Sequence, residues 1–190
     1  MKKIVIDPGH GGVDSGAVSD DLPGVYEKTF ALDISRRLKC LLELTGRFEI
    51  QLTRIADAFV SLDDRCKIAN DWGADLFVSI HHNARFSEQP GIEIETWYLT
   101  GLPPSAFSFR VADLIQKGLI FGLKKQGEAV IDRGIKQANF AVLRRTKMPA
   151  VLTELGFITD KAEGEWLSES LNRGVLAELL MTSIDEAFVV

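Results

Sequence analysis

Apolar runs and helical spacings take turns along the whole chain. Lys2 to Asp7 is a β-branched run ended by Pro8 and Gly9, the pattern of a buried strand. From Tyr26 to Leu44, Phe30, Ile34, Leu38, Leu41 and Leu42 recur at helical spacing with charges between them, which predicts a helix lying across one face of a sheet. Glu49 to Thr53 alternates and predicts a second strand. Leu62 to Trp72 predicts a second helix, with Ser61 as its N-cap and Gly73 as its stop. Leu76 to His81 is almost wholly apolar, as expected of a central strand covered on both faces. Gly91 to Tyr98 alternates strictly and predicts a strand with one wetter face. Beyond Pro103 and Pro104, Ser105 to Gln126 has helical spacing; Phe140 to Leu143 and Ala150 to Leu155 read as short strands, and Glu169 to Phe188 as a closing amphipathic helix.

Strands alternating with helices imply βαβ crossovers, hence an α/β fold: a three-layer sandwich whose twisted, mostly parallel sheet of about six strands is flanked by helices. Neither a linker nor a repeat interrupts the pattern, so residues 1–190 are expected to form a single domain, and a monomer. The formal net charge of −5 gives no electrostatic pull toward nucleic acid or anionic lipid. No stretch approaches the roughly 20 apolar residues of a membrane span, and the apolar run at the N-terminus is too short for an export signal. The two cysteines, Cys40 and Cys66, have no metal-knuckle spacing and sit in apolar helical patterns, so both are expected as buried, reduced thiols.

The chemistry concentrates where strands end. In open α/β sheets ligands collect outside the carboxyl ends of strands, and all three histidines, His10, His81 and His82, lie at or just beyond such ends. Neighbouring side chains on a strand face opposite ways, so only one of His81 and His82 can point into a shared site. Two histidines and a carboxylate make one standard catalytic zinc set. Glu27, opening the first long helix, can supply the carboxylate, although an acid at a helix start is also favoured by the helix dipole alone. His10 by itself could equally be a turn histidine bonded to backbone, and His82 reads as a supporting or surface residue. Glu154, in the apolar run AVLTEL, is costly there unless paired or used, and is placed to act as a general base. Arg144, Arg145 and Lys147 read as a solvated basic face.

Taken together, IDPGHGGVDSGAV, the glutamate of YEKTFALDISRRL, LTRIADAFVSLDDRCKIAN, ADLFVSIHHNA, GIEIETWY and DRGIKQANFAVLRRTKMPAVLTELGFITD resemble the zinc-dependent N-acetylmuramoyl-L-alanine amidases of the Amidase_3 family, nearly end to end. The resemblance implies that His10, Glu27 and His81 bind Zn2+ and that Glu154 is the catalytic acid and base. The reaction implied is hydrolysis of the amide between N-acetylmuramic acid and L-alanine in peptidoglycan. Asn83 and Arg133 match family positions at the groove. The family usually has a small residue where this chain has His82, so the choice of ligand between the two histidines rests on strand phase, which favours His81. The stretch from Tyr98 to Asp132 holds one helix and little spare, so an open site without a blocking helix is expected. A chain made in the cytoplasm and acting on the cell wall, as a phage endolysin or an autolysin, fits; the alternatives are a zinc peptidase acting on stem peptides and a noncatalytic wall-binding regulator. Phosphate binding at the glycine loop is disfavoured, because the loop lacks the Lys and Ser/Thr of a P-loop.

Overall fold

The structure, a computed structural model, describes residues 1–84 and 90–189. Six strands form one sheet in the order β2-β1-β3-β6-β4-β5: β1 (Lys2–Pro8), β2 (Phe48–Leu52), β3 (Leu76–Asn83), β4 (Ile92–Leu99), β5 (Val130–Ala138) and β6 (Ala150–Phe157). Strands β2, β1, β3 and β6 run parallel; β4 is antiparallel to β6, and β5 is parallel to β4. One face carries α1 (Glu27–Leu44), α3 (Phe107–Lys125) and α6 (Ser170–Ala187); the other carries α2 (Leu62–Trp72) and α4 (Ala141–Arg145). The expected three layers are therefore present.

The larger core lies under α1, α3 and α6, where Ile4, Ile6, Val78 and Ile80 of the sheet meet Ile34, Leu38, Ile115, Leu119 and Leu180, all fully buried. Each such side chain contributes about 1.5–3 kcal/mol on leaving water. The opposite face buries Val5, Phe77 and Leu152 against Cys66, Ala69, Val142 and Leu143. α2 begins and ends as the sequence dictates: Ser61 Oγ accepts the Asp64 N–H at 3.1 Å, and Gly73 takes the left-handed conformation with φ of 67°.

Three expectations are corrected, and two further elements are present. Phe140 to Leu143 is not a strand: Leu143 and Arg144 both donate their N–H groups to the Phe140 carbonyl, and the short apolar run forms the single-turn helix α4. Such a run, four residues long, has no periodicity to decide between the two. Strand β5, half-exposed at the sheet edge and broken by Gly134 at φ of 78°, carries no alternating apolar pattern that predicts a strand, and nothing in the sequence reading predicts the short helix α5 (Lys161–Ser168). The alternation in β4 does not mark a wet face: Glu93 and Glu95 are both buried and are neutralised by Arg133 and Lys136. Cys66 is buried as expected, but Cys40 is exposed on the outer side of α1.

Between β1 and β3 the winding changes sense. The chain leaves β1 over one face through α1 to reach β2, then returns beneath through α2 to β3 on the far side of β1. Strand ends diverge at such a switch and leave a crevice. His10 follows β1 and His81 lies two residues before the end of β3, so the two flank it.

Candidate metal centre

Three segments bring their side chains together at the crevice. His10 Nε2 lies 3.1 Å from Glu27 Oε2, and His81 Nδ1 lies 2.9 Å from Glu27 Oε1. One ligand-capable atom from each of the three residues falls within 4.8 Å of the others. The carboxylate is itself fixed, since the N–H groups of His82 and Ala17 donate to Oε1 at 3.0 Å and to Oε2 at 2.8 Å. Asp14 Oδ2, 2.9 Å from His10 Nδ1, holds that ring with Nε2 turned toward Glu27.

Local backbone chemistry makes this convergence possible. His10 has φ of 58°, in the left-handed region that costs an L residue roughly 1–2 kcal/mol. Two glycines clear the space: a Cβ on Gly9 would meet the His81 ring at 2.4 Å, and one on Gly16 would meet Glu27 Oε2 at 2.5 Å and His10 at 2.6 Å.

Strand phase places the two adjacent histidines apart. His81 shares its face with Asp7, Ser79, Leu152 and Glu154 on the α2 side. His82 points into the other core, where its Nδ1 lies 2.8 Å from the Leu155 carbonyl and its ring meets Phe30 edge-on. Burial drives the His82 imidazole down to about 4, so it is neutral near pH 7. At His81 burial also works downward, but the hydrogen bond and charge of Glu27 outweigh it and raise the imidazole to about 8. Against its own burial, Glu27 is held well below the usual carboxylate range by hydrogen bonds to His10 and His81. Two imidazole nitrogens around an ionised, anchored carboxylate suit a divalent cation of the zinc type.

Glu154 sits beside His81 in the parallel register of β3 and β6, and opposite Glu95 across β4 and β6. Among the described residues its Oε2 is buried without a hydrogen-bond partner. Burial, reinforced by the charges of Glu27 and Glu95, pushes its carboxyl up to about 7 even though His81 pulls the other way. Asn83 and Arg133 both reach Glu95, at 2.8 and 2.6 Å, so the two adjoin Glu154 through a shared neighbour. His10, His81 and Glu154 line a groove of about 350 Å³ whose walls are Phe59, Val60, Leu62, Phe140, Val142 and Leu152. Among the described residues no helix is long and apolar enough to cross a membrane.

Asp14, Arg54 and Arg65 lie within the sequence motifs, which assign them no role. Asp14 could have been found as an acid four residues after His10. Nothing local marks the two arginines, whose partners between Asp7 and His10 lie 45 to 58 residues away along the chain.

Known proteins supply the wider context. The sporulation-specific N-acetylmuramoyl-L-alanine amidase of Bacillus subtilis is 38% identical over 191 residues, covering 99% of this chain and 69% of that protein. The endolysin of Bacillus phage SPP1 is 40% identical over 172 residues, covering 89% of this chain and 60% of that protein, so the chain spans well under the full length of both. The crystal structure of N-acetylmuramoyl-L-alanine amidase from Clostridium difficile 630 superposes with a TM-score of 0.88 at 34% identity, over 97% of this chain and 95% of that one. The family model described as N-acetylmuramoyl-L-alanine amidase, Amidase_3, matches residues 4–186, and the chain belongs to that family.

Proposed function

We propose that the chain is a zinc-dependent hydrolase of the amide joining N-acetylmuramic acid to L-alanine in peptidoglycan, with His10, Glu27 and His81 holding the ion and Glu154 moving the proton. One observation carries the reading: three ligand-type side chains from three separate segments converge within 4.8 Å, beside a buried carboxylate with an unpartnered oxygen in the same groove. A bound ion of this type supplies Lewis-acid polarisation of the scissile carbonyl and makes water more acidic.

The rest of the chemistry belongs to the chain. Glu154 Oε2 accepts a proton from the attacking water and passes it to the alanine nitrogen as the C–N bond breaks. Its carboxyl, raised toward neutrality, is suited to both halves of that transfer. Asp14 keeps His10 in one tautomer, and the Ala17 and His82 N–H groups keep Glu27 from rotating. The apolar walls exclude bulk water from the reacting amide.

Residues 1–190 would serve as one catalytic domain, working as a monomer on the cell wall in the manner of an autolysin or endolysin. Digestion of purified cell wall tests the reading by product mass. Free stem peptides beginning with L-alanine, and glycans with unmodified muramic acid carboxyls, are expected, both lost on adding a chelator. Cuts within stem peptides would favour a peptidase, and no products a noncatalytic binder.

A further inference from the structure

Two buried guanidinium groups grip the backbone that carries His10. Arg54 donates from Nε to the Pro8 carbonyl at 3.1 Å and from Nη2 to the Gly9 carbonyl at 2.7 Å. Arg65 donates from Nη1 to the Pro8 carbonyl at 2.6 Å and from Nη2 to the His10 carbonyl at 2.7 Å. Three consecutive carbonyls are thus held by two side chains that are 4% and 3% exposed.

The same groups reach the other two ligand segments. Arg54 Nη2 also donates to the Lys28 carbonyl at 2.7 Å, one residue beyond Glu27. Arg65 Nη1 pairs with Asp7 Oδ1 at 2.7 Å, and Asp7 Oδ2 accepts from Ser79 Oγ at 2.8 Å, two residues before His81. All three ligand-bearing segments meet at this pair of arginines.

We infer that Arg54 and Arg65 are positioning residues that set metal affinity by holding the Pro8–Gly9–His10 backbone, and that a planar fork rather than a positive charge is what the position requires. His10 sits in a left-handed conformation that a free loop would leave, and a loop already ordered need not be ordered by the ion. A lysine offers one point charge and cannot span two carbonyls in fixed geometry. The inference rests on the ligand assignment proposed above.

Zinc affinity, measured by competition with a chromogenic chelator, tests it on the whole chain. Arg54→Lys and Arg65→Lys are expected to bind zinc roughly 10- to 100-fold more weakly, and to shift the visible absorption of the cobalt-substituted protein, while metal-free near-UV dichroism stays unchanged. In Arg65→Ala, which opens space onto the groove that Arg65 lines, low-millimolar guanidinium should restore affinity and methylammonium should not. Lysine variants with the zinc affinity and cobalt spectrum of the unaltered chain would overturn the inference alone. Failure of both lysine variants to fold, even with zinc present, would also overturn it, by assigning the arginines to the fold as a whole. An unaltered chain that takes up no zinc would overturn the ligand assignment, and this inference with it.

Discussion

Gly16 closes directly on Glu27: a Cβ at position 16 would sit 2.5 Å from the carboxylate oxygen Oε2, at a residue whose φ is +65°. Gly16→Ala should therefore displace Glu27 and His10 and abolish zinc uptake. Gly46→Ala is the control, since its φ of +69° is similar but nothing lies within 4 Å of the added atom. The control should lose only about 1–2 kcal/mol of stability and keep its zinc. Metal content per chain, read beside thermal midpoints, separates the two effects.

Replacing each adjacent histidine by alanine should give opposite results. His81→Ala removes a group 2.9 Å from Glu27 and should lose the ion with little loss of core. His82→Ala opens a cavity beside Phe30 and leaves the Leu155 carbonyl without its contact, so it should cost about 1–3 kcal/mol while zinc stays bound. Denaturant unfolding and zinc analysis of the two variants check both halves; zinc lost only from the His82 variant would exchange the roles.

Glu154→Gln should keep zinc and lower turnover by roughly 10²- to 10⁴-fold. In the unaltered chain, burial raises the Glu154 carboxyl to about 7, and a cation beside it draws that value down. The group must be ionised to accept a proton. Activity should accordingly fall as pH drops through a limb at or below 7, and the residual activity of the variant should lack that limb.

Glu163 offers a pH test of stability away from the chemistry. Its Oε2 accepts the N–H groups of Glu93 and Phe157 at 3.0 and 2.9 Å, tying α5 to β4 and β6, while Oε1 is buried without a partner among the described residues. Burial pushes the carboxyl up to about 7 from an ordinary value of 4.5. Between those values the folded state binds more protons than the unfolded chain, so stability contributed here falls as pH rises, with the full cost present above about 7. Glu163→Gln should match the unaltered chain near pH 4 and exceed it by about 3 kcal/mol near pH 8.5, since each pKa unit between 4.5 and about 7 is worth about 1.4 kcal/mol. Equal slopes of unfolding free energy against pH in the two proteins would remove Glu163 as the cause.

The fold class was legible because β1, β3 and β6 are apolar runs and α1 and α2 carry clean helical spacing. The His81 face was legible from strand alternation alone. Strand β5 was not, because an edge strand with a polar, half-exposed pattern and a glycine break lacks the burial that makes apolar residues recur. Glu93 and Glu95 misled for a related reason: alternating acids look solvated until Arg133 and Lys136, about 40 residues on, are folded against them. Arg54 and Arg65 were invisible as a pair, since the Pro8, Gly9 and His10 carbonyls they hold together belong to a different segment.

An anomalous difference map at the zinc edge, from crystals of the unaltered chain, tests the ligand assignment most directly. A single peak within bonding distance of His10, Glu27 and His81 is the expected result. A map with no density between those three side chains, or with the ion seated on His82, would contradict it.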